Sequence, residues 1–144
     1  MNDKPQTILT DTAPAPAGHY SQAIRSGSSL YISGQLPISA DKAPLPDMHF
    51  ETQARQAIAN MLRILEAAGG APADLCRVTA YIVDVENWPR FNRVYADMLG
   101  EAKPARTVVP VPELHYGYLV EVDAVATLPD REQKAFTRPQ GNDL

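Results

Sequence analysis

Residues 118–127, YLVEVDAVAT, alternate without a break, and this alternation constrains the fold more than any other segment. Successive side chains along a strand point to opposite faces. Tyr118, Val120, Val122, Ala124 and Ala126 therefore share one apolar face, while Leu119, Glu121, Asp123, Val125 and Thr127 share the other. A sheet holding this strand buries one face under apolar packing. Its second face carries two carboxylates between Leu119 and Val125, a mixture that suits neither a core nor a plain surface. Acids in strands are most often simply solvated. In a half-buried interface, desolvation would instead tune such a carboxylate for acid–base work.

Two amphipathic helices can supply the cover. Phe50, Ala54, Ala57, Ile58, Met61, Leu65 and Ala68 recur at three- and four-residue spacing and define one apolar face. Asp47 is placed to cap that helix, and Gly69-Gly70 ends it. Residues 77–85, RVTAYIVDV, read as a strand. Asn87 is the expected cap of a second helix, with Pro89 in its first turn and Phe91, Val94, Tyr95 and Met98 on its inner face. Gly100 closes it. Residues 105–111 are strand-like, but Pro110 and Pro112 lack ladder donors and predict a short or frayed strand.

Upstream, runs at 20–25 and 30–35 flank Ser26-Gly27-Ser28 and read as a hairpin. Three prolines make 37–46 a loop, and alternating Ala and Pro make 1–18 extended. The predicted order is β-β-α-β-α-β-β, an α+β domain at 14–128 with an arm over 1–13 and a polar tail over 129–144. Two helices cover one face of such a sheet. The other face must meet solvent or another subunit.

Composition excludes several classes. The 144 residues suit one domain, and the net charge of -4 with no basic cluster argues against a nucleic-acid partner. No apolar run is long enough for a membrane span, and residues 1–18 lack the apolar region of a signal peptide. Cys76 is the single cysteine, so no internal disulfide can form, which fits a reducing compartment. These features predict a soluble, cytoplasmic protein. Cys76 is expected to be buried and inert. His19, His49 and His115 match no zinc spacing, so no metal is expected. Neither a phosphate loop nor a Gly-x-Ser-x-Gly elbow occurs.

Arg106 lies in KPARTVVPV, at the start of an apolar strand. Its guanidinium could clamp a carboxylate through two parallel hydrogen bonds, or pair with a surface acid at a strand end. One Arg and one Glu are a weak signal alone. The blocks around them carry more. GHYSQAI at 18–24, YISGQLPI at 31–38, QARQAIANMLRILEAAGG at 53–70, RVTAYIVDVENWPRFNRVYADMLG at 77–100, KPARTVV at 103–109 and LVEVDAVA at 119–126 together resemble the RidA (YjgF) family, in its order and spacing.

The resemblance implies a chorismate-mutase-like fold: a six-stranded mixed sheet with two helices on one face, assembled as a homotrimer around a barrel-like core, with pockets between subunits. It implies that Arg106 grips a substrate carboxylate and that Glu121 orients water or relays protons. Tyr20, Ser33, Gly34 and Asn92 would line the pocket, Val108 would contact substrate through its backbone, and His115 would border it. Three places depart from the family pattern. Val108 stands where cysteine is common, His19 replaces a common proline, and His115-Tyr116-Gly117 replaces a proline and a charged residue. The implied activity is cofactor-free hydrolysis of reactive 2-imino and enamine acids to 2-keto acids and ammonia. The alternative is a non-catalytic trimer that binds a small carboxylate. RNA cleavage, a label attached to some relatives, is disfavoured by the charge.

Overall fold

The computed structural model describes residues 4–130. Its strands are β1 (Gln6–Ile8), β2 (Ala23–Ser26), β3 (Ser29–Gln35), β4 (Leu75–Val83), β5 (Ala105–Val111) and β6 (Val120–Thr127). Helix α1 spans Phe50–Ala67 and α2 spans Trp88–Leu99. The strands form one mixed sheet in the order β1-β2-β3-β6-β4-β5, in which only β4 and β5 run parallel among the described residues. Parallel neighbours need a crossover, and α2 supplies it between β4 and β5. Helix α1 makes the other crossover, from β3 to β4, and β6 later inserts between those two strands. That insertion puts Glu121 near the middle of the sheet.

The helices cover one face, as the alternation requires. Val120, Val122, Ala124 and Ala126 are buried there. Ile58, Met61, Ile64 and Leu65 of α1 are fully buried. Truncating one of these to Ala costs about 2–5 kcal/mol. On the uncovered face Leu119, Glu121, Asp123 and Val125 are half-buried and Tyr31 is exposed. Among the described residues, no helix is long and apolar enough to cross a membrane.

Several local expectations need correction. The order gains a strand: the extended N-terminal segment contributes β1, which pairs antiparallel with β2. Asp47 does not cap α1. His49 holds the cap position without a side-chain bond, and Asp47 instead accepts the His49 N–H at 2.9 Å just upstream. Asn87 does not cap α2 through its side chain either. Its amide donates to the Val83 carbonyl at 2.9 Å, while Asp84 caps the preceding 3₁₀ turn by accepting from Glu86 N–H.

Strand β5 does not fray at Pro110, which pairs with Ile82. It is an edge strand, so a missing N–H can face outward without breaking a ladder. Cys76 is exposed rather than buried, beside an irregularity in the β4–β6 register, with its Sγ 3.2 Å from Thr127 Oγ1. Most of the polar tail, residues 131–144, lies outside the described residues.

Candidate functional site

Glu121 projects from β6 on the uncovered face, opposite Tyr81 of β4. On its other side β3 is irregular between Ile32 and Gln35. Gly34 sits in that irregularity, and a Cβ there would lie 2.5 Å from Glu121 Oε1. Only glycine lets the backbone come this close to the carboxylate. Burial pushes the Glu121 pKa above the ordinary carboxylate value, His115 pulls it back, and Asp123 adds to the rise. The Glu121 carboxylate makes no ion pair and no hydrogen bond among the described residues.

A cleft of about 400 Å³ opens over this carboxylate, bordered by Tyr20, Ser33, Gly34, His115 and Tyr116 among others. Ser33 is fixed at both ends: its hydroxyl donates to the Ser21 carbonyl at 2.6 Å and its N–H to the Gln22 carbonyl at 2.9 Å. The Tyr20 hydroxyl accepts from Ala17 N–H at 3.1 Å, which closes a tight N-terminal wall.

Behind the walls stand buried amides, which sequence reasoning missed. Gln22 accepts from Thr10 N–H and donates to the carbonyls of Thr10, Ala13 and Pro14, so it clamps the segment that supplies Pro14 and Ala15 to the cleft. Asn60 of α1 donates to the carbonyls of Leu36 and Ile38, two further lining residues. Gln53 of α1 accepts from Leu119 N–H at 2.8 Å and holds the entry to β6. Each amide is at least 99% buried. Buried amides survive only when their hydrogen bonds are met, and these meet them on the loops around Glu121. One signal was legible: Gln53 and Asn60 interrupt an apolar helix face at a spacing that keeps both on it.

Arg106 is elsewhere. It pairs with Val78 in the β4–β5 register, so its side chain points to the helix side, whereas Glu121 points to the uncovered side. Its Nη1 donates to Asn92 Oδ1 of α2 at 3.0 Å. The guanidinium carbon lies 4.8 Å from the ring centre of Tyr95, 5.7 Å from Trp88 and 5.9 Å from Phe91. Such rings hold a cation without neutralising it. No carboxylate pairs with Arg106 among the described residues. Val108 follows two residues on, half-buried on the same side as Arg106 and opposite Ala80.

The structure thus gathers Tyr20, Ser33, Gly34, His115 and Glu121 into one cleft, and Arg106, Asn92 and Val108 around a second centre. Phe91 and Tyr95 belong to the apolar face that periodicity marks on this helix, but periodicity does not distinguish a cage from core and gives no sign of Trp88. No cluster of three or more potential metal ligands occurs among the described residues.

One six-stranded mixed sheet with two crossover helices and an acid on its uncovered face defines the architecture. The family model described as endoribonuclease L-PSP matches residues 10–128. A RutC family protein of Pyrococcus horikoshii is 41% identical over 84% of this chain and 96% of its own length. A 2-iminobutanoate/2-iminopropanoate deaminase of Dermatophagoides farinae is 31% identical over 84% of this chain and 94% of its own. The crystal structure of RidA from an Antarctic Psychrobacter superposes with a TM-score of 0.81 at 38% identity, covering 85% of this chain and 99% of that one. The chain belongs to the RidA family.

Proposed function

We propose that this protein is a cofactor-free deaminase that hydrolyses reactive 2-imino and enamine acids to 2-keto acids and ammonia. We place the reaction in pockets of a homotrimer, where the Glu121 cleft of one subunit meets the Arg106 centre of the next. One observation carries the reading: a half-buried acid and a half-buried cation, each without an ionic partner among the described residues, face opposite ways in one chain. Association is the simplest way to bring such groups to one ligand. The similarity to a named imine deaminase supports the same chemistry.

In this mechanism Arg106 holds the substrate carboxylate through parallel hydrogen bonds. Water adds to the C=N carbon while Glu121 takes one of its protons and passes it to the imine nitrogen. The carbinolamine then expels ammonia as Glu121 carries its hydroxyl proton to the departing amine, giving the C=O of the keto acid. A pKa raised by burial suits Glu121 better than an ordinary carboxylate to accept and return a proton, and such acid–base help is worth roughly 10²–10⁴ in rate. An enamine first takes a proton at carbon, which Glu121 or Tyr20 would supply.

The test is ammonia release from imines made in situ by an amino-acid oxidase, with and without the protein. Acceleration that exceeds buffer and disappears in Glu121→Gln supports the reading. Binding of keto acids without acceleration would leave a carboxylate-binding module instead. RNA incubated with the same preparation should stay intact.

A further inference from the structure

Tyr116 is the residue of the Glu121 cleft whose backbone is hardest to explain by folding alone. Its φ of 61° and ψ of 17° lie in the left-handed region, and Gly117 follows at φ 74°. A bulky side chain is an outlier there, whereas Gly or Asn fits readily. Nothing is gained in burial, because Tyr116 is 74% exposed. Strain of this kind, in a side chain the core does not use, points towards function.

The ring borders the cleft. It lies 5.9 Å from the ring of His115, which also borders the cleft, and 6.3 Å from that of Tyr118. Tyr20, half-exposed, adds another ring, and Leu36 and Ile38 add apolar wall. A cleft of about 400 Å³ falls within the range of pockets for large ligands and exceeds what a methyl or ethyl side chain needs.

We infer that this cleft selects 2-imino acids, and the 2-keto acids they become, that carry an aromatic side chain, with Tyr116 as the specificity-determining residue whose ring packs against it. Aromatic rather than branched aliphatic groups are favoured because ring pairs in stacked or edge contact gain more than their buried area gives. The catalytic part of this inference rests on the deaminase reading; the binding part does not.

The experiment is calorimetric titration of the full chain with phenylpyruvate, 4-methyl-2-oxopentanoate and pyruvate, beside ammonia release from the three matching imines. Phenylpyruvate should bind about tenfold more tightly than either of the others. Tyr116→Phe should keep that ratio. Tyr116→Gly and Tyr116→Asn, both at home in the left-handed conformation, should bring it close to one without lowering the melting temperature. Equal binding of the three acids, an aliphatic preference, or an aromatic preference that survives Tyr116→Gly would overturn the inference. An aromatic preference in binding with no imine turned over would instead sink the deaminase reading and leave this inference standing.

Discussion

Glu121 stands on the open face of the sheet with its surroundings fixed from behind by Gln22, Gln53 and Asn60, whereas Arg106 leaves an edge strand and is held by the rings of α2. The first arrangement uses neutral hydrogen bonds that do not titrate, so the cleft keeps its shape while the carboxylate gains and loses a proton. The second uses ring faces, which orient a cation and, beyond the Nη1 bond to Asn92, leave its guanidinium N–H groups to meet a carboxylate. On the proposed mechanism, an acid that changes protonation state and a cation that does not are thus supported by different chemistry.

Breaking the two centres separately gives the largest effects. Arg106→Ala removes the clamp, and truncating one partner of a buried charge pair costs about 2–5 kcal/mol, roughly 30-fold to several thousandfold in affinity. Uncharged imines, which never use the clamp, should lose far less. Glu121→Gln should lower turnover on charged and neutral imines alike, by roughly 10²–10⁴, with keto-acid binding retained. Steady-state kinetics on matched imines separates the two. If each pocket takes Glu121 from one subunit and Arg106 from its neighbour, unfolding and refolding the two inactive variants together should restore about a quarter of the sites in a head-to-tail ring. No recovery in mixed trimers would place both residues in the same subunit's pocket.

Gly34→Ala attacks the Glu121 side through geometry alone. The new Cβ would meet Oε1 at 2.5 Å, so the carboxylate must swing away. The obstructing atom is the end of a side chain, so the fold should survive with little change in melting temperature. A displacement near 1 Å at a catalytic group costs about 10² in rate. Because the loss acts through Glu121, adding Gly34→Ala to Glu121→Gln should cost almost nothing more. Additive losses would mean that Gly34 serves the pocket independently of the acid.

The contrast between the centres also explains how far the sequence could be read. The faces of β6, α1 and α2 followed from period alone, since each faces a continuous apolar layer. Strand β1 did not: three residues carry no period, and β1 is held by pairing with a strand seventeen or so positions away. Cys76 defeated the expectation of burial because a register irregularity turns it outward. The acid of the uncovered face was legible from alternation. That Arg106 points the other way was not, because its side depends on the parallel register of β4 and β5, which no local pattern encodes. Its role came from resemblance rather than from residues.

A smaller effect is expected from Gln22→Ala, whose amide is taken up by the backbone of the N-terminal wall. The carbonyls of Ala13 and Pro14 and the N–H of Thr10 would lose a buried partner. Leaving such groups unmet costs about 1–3 kcal/mol, so the melting temperature should fall. The wall carrying Pro14 and Ala15 should also loosen, raising KM more than it lowers kcat. A fall in stability with unchanged KM would show that the clamp serves folding only.

The smallest effect is a pH dependence whose sign reports how the two centres meet. Burial holds the folded-state pKa of Glu121 above its unfolded value, near 4.3. Between those two values the folded chain binds more protons than the unfolded one, so stability falls as pH rises through the window. Below the unfolded value the acid is protonated in both states and the effect vanishes. Glu121→Gln removes the penalty of ionising a desolvated acid. It should therefore stabilise the protein at neutral pH, by less than about 1 kcal/mol because half the side chain remains open to solvent, and should match the parent in acid. The measurement is urea unfolding of both proteins at fixed protomer concentration on either side of the window. If a neighbour's Arg106 instead touches Glu121 directly, the pair would lower the pKa and the sign would invert: Glu121→Gln would destabilise at neutral pH. That inversion would argue against Arg106 as a clamp for substrate, since its guanidinium would already be taken.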